Sequence, residues 1–312
     1  MGQILLRDPR HDPLASVAAI LATGNVRFVN LESQLSDQGG VTMSPHNPLV
    51  FTGPPSGADA LARAQITIVS TANNHAWDYG KKAFLETLDN LDRVSVLHVG
   101  TGRTRAEAYA PVIVERNGLR IAFLAVTDIW NQGPLEKHEA VDFVARADAG
   151  TLADSVASAR ASADVVIVSY HGGDQYVDVP TARTRTILRA AIDAGADAIL
   201  GHHPHVIHAV EFRSGRPILY SMGNLLMKMH RDYPWTGYGY MARLTLVKGQ
   251  APRVEVCPYR IVGLVPTLLA SAKERGGFER VFFGHLRQVS SALGATTRIG
   301  APGIDGCAEV AP

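Results

Sequence analysis

Short apolar runs in this chain end, again and again, in polar residues able to hold an ion or carry a proton. Val26–Leu31 leads to Asn30 and Glu32, and Ile66–Val69 to Asn73, Asn74 and His75. Val165–Val168 leads to His171, Ala198–Leu200 to His203 and His205, and Pro217–Tyr220 to Asn224. Helical patterns at Lys81–Leu91, Thr151–Ala161 and Arg183–Ala194 separate several of these runs. Strands alternating with helices predict an α/β fold with a largely parallel sheet, because parallel neighbours need crossover connections. Sites in such sheets gather at the carboxyl ends of the strands. The pattern therefore predicts one rim where distant segments meet.

The densest of these ends is Gly201-His-His-Pro-His205. In extended backbone, residues two apart face the same way, so His203 and His205 are expected to converge, with Pro204 stiffening the loop. Convergent neutral imidazoles suit a divalent cation. Asn74 and His75 place an amide oxygen beside a proton carrier, and Asp78 lies where it can orient the His75 ring. His171-Gly-Gly-Asp174 offers a second His/Asp pair. Glu32 is a ligand or a loop acid, and Asn224 caps a strand end or positions water; the residues leave both questions open. Trp130, Tyr233 and Trp235 either line a substrate pocket or form a satellite core. The isolated histidines, His46 and His230 among them, are read as structural or solvated.

Elsewhere, Val112–Val114 and Leu119–Val126 flank Asn117-Gly118 and predict a hairpin. Ile4–Leu6 reads as a first strand, 34–60 as a long loop, and Arg243–Val247 with Val254–Val256 as late antiparallel strands. Residues 1–300 are expected to form one domain, followed by an irregular tail over 301–312. A formal net charge of +1 gives no global field to draw in nucleic acid or an anionic membrane. No apolar run approaches the roughly 20 residues of a membrane helix, and charges appear too early for a signal peptide. The expectation is a soluble, cytoplasmic protein with no nucleic-acid or membrane partner, its oligomeric state open. Cys257 and Cys307 fit no metal or redox spacing and are not needed as a staple in a chain of 312 residues.

The ordered set Asn30-Leu-Glu32, Asn73-Asn-His75 with Asp78 and Gly80, Tyr170-His-Gly-Gly-Asp-Gln-Tyr176, Gly201-His-His-Pro-His205 and Ser221-Met-Gly-Asn224 resembles the CapA family. That family is named for capsule and poly-γ-glutamate synthesis. The resemblance implies a calcineurin-like metallophosphatase fold, a four-layer α/β/β/α sandwich. It also implies Glu32, Asn74, His171, His203 and His205 as metal neighbours and His75 as the acid/base group. The chain departs from the family at Gln3, where an aspartate ligand is usual, and at Gln175, where a glutamate is usual. Both changes remove negative charge, which favours a single divalent cation, with calcium, manganese and zinc all open.

One cation with His75/Asp78 and His171/Asp174 on opposite faces of a carbon would suit two-base epimerisation. The expected substrate is then a peptide, with the C-terminal residue of a lasso-type precursor as target, by resemblance to an epimerase branch of the family. The alternatives are a metal-dependent phosphoesterase or hydrolase, a poly-γ-glutamate capsule biosynthesis protein, and a binding module with a structural metal.

Overall fold

The computed structural model describes Leu5, Asp8 and residues 10–37, 50–227, 232–268 and 272–312. Expectations that rest on Gln3, Ile4, Leu6, His46 and His230 lie outside the described residues.

After a short helix α1 (Ala18–Leu21), the first sheet is built from β1 (Phe28–Asn30), β4 (Ile68–Ser70) and β5 (Leu97–Val99), all parallel. A two-strand clip, β2 (Gln34–Leu35) with β3 (Thr52–Gly53), lies beside it. Helices α2 (Ser56–Arg63) and α3 (Gly80–Arg93) make the crossovers. The second sheet has the order β10-β11-β9-β8-β7-β6. Its members are β6 (Val112–Arg116), β7 (Leu119–Thr127), β8 (Val165–His171), β9 (Ala198–His202), β10 (Val210–Arg213) and β11 (Arg216–Leu219). Helix α4 (Arg105–Tyr109) precedes it, and α5 (Ala149–Ser162) and α6 (Ala182–Asp193) connect its parallel centre. A third sheet joins β12 (Tyr238–Thr245), β13 (Arg253–Val262), β14 (Val265–Leu268), β15 (Arg298–Ile299) and β16 (Ala308–Ala311), with helix α7 (Ala272–Ala292) between β14 and β15.

Strand β8 shows why the layers form. Every one of its residues is buried, as a strand covered on both faces must be. Val166, Val168 and Tyr170 pack on α5 and α6, while Val165 and Ile167 face the opposite core. That inner core also takes Ile68 and Val99 from the first sheet, Val254 and Val256 from the third, and Phe282 and Leu286 from α7. The far face of the first sheet packs Val69 against Leu61 of α2 and Leu91 of α3. The order is helices, sheet, sheet, helices: the expected α/β/β/α layering.

The hairpin turns through Asn117 (φ 52°) and Gly118 (φ 77°), both left-handed, as the Asn-Gly pair predicts. Two expectations need correction. Residues 34–60 are not simply loop, because β2, β3 and most of α2 arise within them. Pro54-Pro55 pre-sets the start of α2, while Asp59 in its first turn and Arg63 in its last suit the helix dipole. The tail over 301–312 is irregular only through Cys307, because β16 (Ala308–Ala311) pairs with both β13 and β15. Cys307, beside the register pair Val256 and Ala308, is joined by a disulfide to Cys257.

Candidate metal centre

The parallel register lines up the end of the second sheet, with Thr127 opposite His171 and His171 opposite His202. Beyond His202 the chain makes an unusual turn. His203 (φ 101°) and His205 (φ 61°) are both left-handed, so their rings converge through turn geometry and not through the expected extended backbone. Non-glycine residues in this region cost of order 1–3 kcal/mol each and persist only where the surroundings enforce them. Part of that enforcement comes from Tyr176 (φ 62°), whose N–H donates to the Pro204 carbonyl at 2.9 Å. Gly201 is required just upstream: a Cβ there would lie 2.1 Å from the carbonyl oxygen of Tyr220, the residue that follows β11.

The first sheet delivers Glu32, Asn74 and His75; the second delivers His171, His203 and His205. Ligand atoms of Glu32, His203 and His205 lie within 4.8 Å of one another, a group that could hold a metal ion. His171 and Asn74 border it. His171 Nε2 is 2.8 Å from Asn74 Oδ1, 3.2 Å from His203 Nδ1 and 3.6 Å from Glu32 Oε1. Asn74 is oriented in turn by Asn131, whose Oδ1 accepts from Asn74 Nδ2 at 2.9 Å. Glu32 Oε1 is buried with no hydrogen-bond partner among the described residues. An orphaned carboxylate oxygen facing imidazole nitrogens fits a mixed N/O cation site. Burial first, then neighbouring His203, holds His171 well below the usual histidine range. Burial, then His205 and His75, pushes His203 down to about 3. Both rings are therefore neutral at physiological pH, the form that binds metal.

His205 Nδ1 donates to Asn224 Oδ1 at 2.8 Å, and Asn224 Nδ2 donates to the Thr236 carbonyl at 3.0 Å. Asn224 thus fixes one ring and leaves His205 Nε2 available. Its amide therefore orients the His205 ring. His75 is set the same way: its Nδ1 lies 2.6 Å from Asp78 Oδ2, and its Nε2 points toward Glu32 Oε1 at 3.8 Å. Asp78 is fully buried.

The second His/Asp pair does not form. Gly172-Gly173 turns the chain outward and leaves Asp174 exposed, while His171 meets Asn74, Glu32 and His203 instead. Trp130 and Trp235 follow the core alternative of the two that the sequence leaves open. Both pack on the inner core, Trp130 against His138 and Trp235 stacked on His285 at 3.7 Å. Of the expected aromatics, Tyr233 does reach the site. It stacks on Tyr176 at 4.5 Å, and Tyr176 in turn lies over His205 at 5.8 Å. Tyr176, Asn131 and Phe51 were not among the expected site residues. Tyr176 stands in the His171 motif and was within reach of sequence reasoning. Asn131 and Phe51 sit in loops whose direction no periodicity reveals.

Fold and site together define a layered α/β protein with a histidine–carboxylate centre at the seam of two sheets. The model of the bacterial capsule synthesis protein family PGA_cap matches residues 3–229, and the chain belongs to that family. The PGA biosynthesis protein CapA of Bacillus subtilis is 34% identical over 209 residues, covering 66% of this chain and 54% of its own length. The capsule biosynthesis protein CapA of Bacillus anthracis is 32% identical over 181 residues, covering 57% and 43%. The chain thus spans about half the length of these curated relatives. Among solved structures, a putative 5'-nucleotidase of Staphylococcus aureus aligns at 14% identity and TM-score 0.46, over 68% of this chain and 40% of that one. A calcineurin-like phosphoesterase of Bacillus subtilis aligns at 13% and TM-score 0.41, over 75% of each. At those scores neither carries an argument about this chain.

Proposed function

We propose that this chain is a metal-dependent acid/base enzyme of hydrolytic type acting on a γ-glutamyl polymer during capsule synthesis. The observation that carries the reading is the buried Glu32 Oε1, without a hydrogen-bond partner among the described residues, which faces both His75 Nε2 and His171 Nε2 beside the His203/His205 turn. Glu32, His203 and His205 would hold one divalent cation, with His171 and Asn74 at its side. Such a cation supplies Lewis acidity and a lowered pKa for bound water. The chain supplies the proton carrier: with its Nδ1 hydrogen committed to Asp78, His75 leaves Nε2 to accept or return a proton. The polymer enters from the names of the curated relatives. A second His/Asp pair for epimerisation at a peptide α-carbon finds no support, since Asp174 is exposed and His171 is buried. No helix among the described residues is long and apolar enough to cross a membrane. The Cys257–Cys307 disulfide supports an oxidising compartment over the cytoplasm expected from sequence.

The test is elemental analysis of purified protein together with cleavage of poly-γ-glutamate oligomers, with and without a chelator. His205→Ala should lose metal and turnover; His75→Ala should lose turnover and keep the metal. A chain that binds no divalent ion, or turnover that survives both changes, would overturn the reading.

A further inference from the structure

Phe51, just before β3, meets the site in a way that cation binding does not account for. The Phe51 ring stacks on the His75 imidazole, centroids 4.0 Å apart and planes 23° from parallel. Its backbone N–H donates to Asp78 Oδ2 at 2.6 Å, onto the same oxygen that meets His75 Nδ1 at 2.6 Å. One residue therefore covers a face of the imidazole and occupies a lone pair of the carboxylate that orients it. Asp78 Oδ1 has no hydrogen-bond partner among the described residues, so Oδ2 carries the hydrogen bonding of this buried group. Phe51 is also tied to the metal half of the site. Its carbonyl accepts from Gln34 N–H at 3.3 Å, and Thr52 and Gly53 pair in register with Gln34 and Leu35. Gln34 lies two residues beyond Glu32. Gln34 also grips the segment that carries the dyad: its Oε1 accepts from Tyr79 N–H at 2.6 Å and its Nε2 donates to the Gly80 carbonyl at 3.3 Å.

We propose that Phe51 is a positioning residue that holds the His75–Asp78 pair in register with Glu32, with the β2/β3 clip as the mechanical link. The inference rests on the reading of His75 as proton carrier, but its first readout does not require turnover. A buried His Nδ1–H on a carboxylate that is shielded from solvent exchange gives a far-downfield proton resonance, assigned here by its loss in Asp78→Asn. In Phe51→Ala the freed ring face admits water, and that resonance should broaden or vanish while the metal content stays at the wild-type level. Where a substrate is turned over, kcat should fall about ten-fold or more with KM little changed, because a misaligned general base forfeits part of its roughly 10²–10⁴-fold contribution. Phe51→Tyr, which keeps the flat face, should restore both. Phe51→Leu, which keeps apolar volume without the flat face, should behave like the alanine variant and provides the readout if Phe51→Ala does not fold. A wild-type resonance in the leucine or alanine variant, or an unchanged kcat, would overturn the proposal. Absence of turnover in the wild-type protein would instead count against the function and leave the resonance to decide the role of Phe51.

Discussion

Each imidazole of the centre is fixed by a partner on its other nitrogen, or by burial that keeps it neutral. Asn224 matters most in this respect, because one amide joins His205 to the Thr236 carbonyl and so couples the ring to the segment leading into β12. Outer partners of metal-bound histidines typically contribute 10–100-fold to affinity. Asn224→Ala should weaken divalent-metal binding by about that factor while leaving far-ultraviolet circular dichroism unchanged. Equilibrium dialysis with elemental analysis checks it, and unaltered affinity would remove Asn224 from this role. The residue types at the site were legible in the chain, because histidines and an acid at strand ends have few other uses. Their pairing was not. Asp174 and Asp78 each follow a histidine by three residues, yet the backbone buries one and exposes the other.

At the level of elements, His208 ties two loops of the rim together, its Nε2 meeting the Val177 carbonyl at 2.5 Å. Burial pushes its pKa down to about 4, from 6.5 in an unfolded chain. The unfolded state therefore binds more protons between those values, so stability falls as pH falls through that window and is level above it. The slope for one such group is about 1.4 kcal/mol per pH unit. Urea unfolding at pH 7 and pH 5 should show a smaller pH penalty in His208→Gln than in the wild type; equal penalties would exclude the assignment. The βα alternation from β4 to β11 could be read because periodicity switches cleanly between strand and helix. Helix α7 escaped that reading even though Phe278, Phe282, Leu286 and Val289 recur at helical spacing. Strand β16 gave no such signal, since a four-residue Ala-Glu-Val-Ala run earns its conformation only from β13 and β15.

For the whole molecule, the Cys257–Cys307 bridge spans 50 residues and encloses β14, α7 and β15. Closing a loop of that length stabilises the fold by about 4 kcal/mol through the unfolded chain. Reductant, or the Cys257→Ala/Cys307→Ala double variant, should lower the urea midpoint accordingly. A midpoint indifferent to reductant would mean that the third sheet holds without its staple. Sequence separation alone could not announce this bridge, because two cysteines with no motif pair only when strands bring them together.

The ligand cluster straddles the joint between two sheets, with Glu32, Asn74 and His75 contributed from one side and His171, His203 and His205 from the other. A centre divided in this way is an assembly product: neither half of the polypeptide owns a complete coordination set. Capture of an ion there would need the two layers to have docked first. Once in place, the ion would act as a rivet across the sandwich, adding its binding free energy to the apolar core that already joins the two layers.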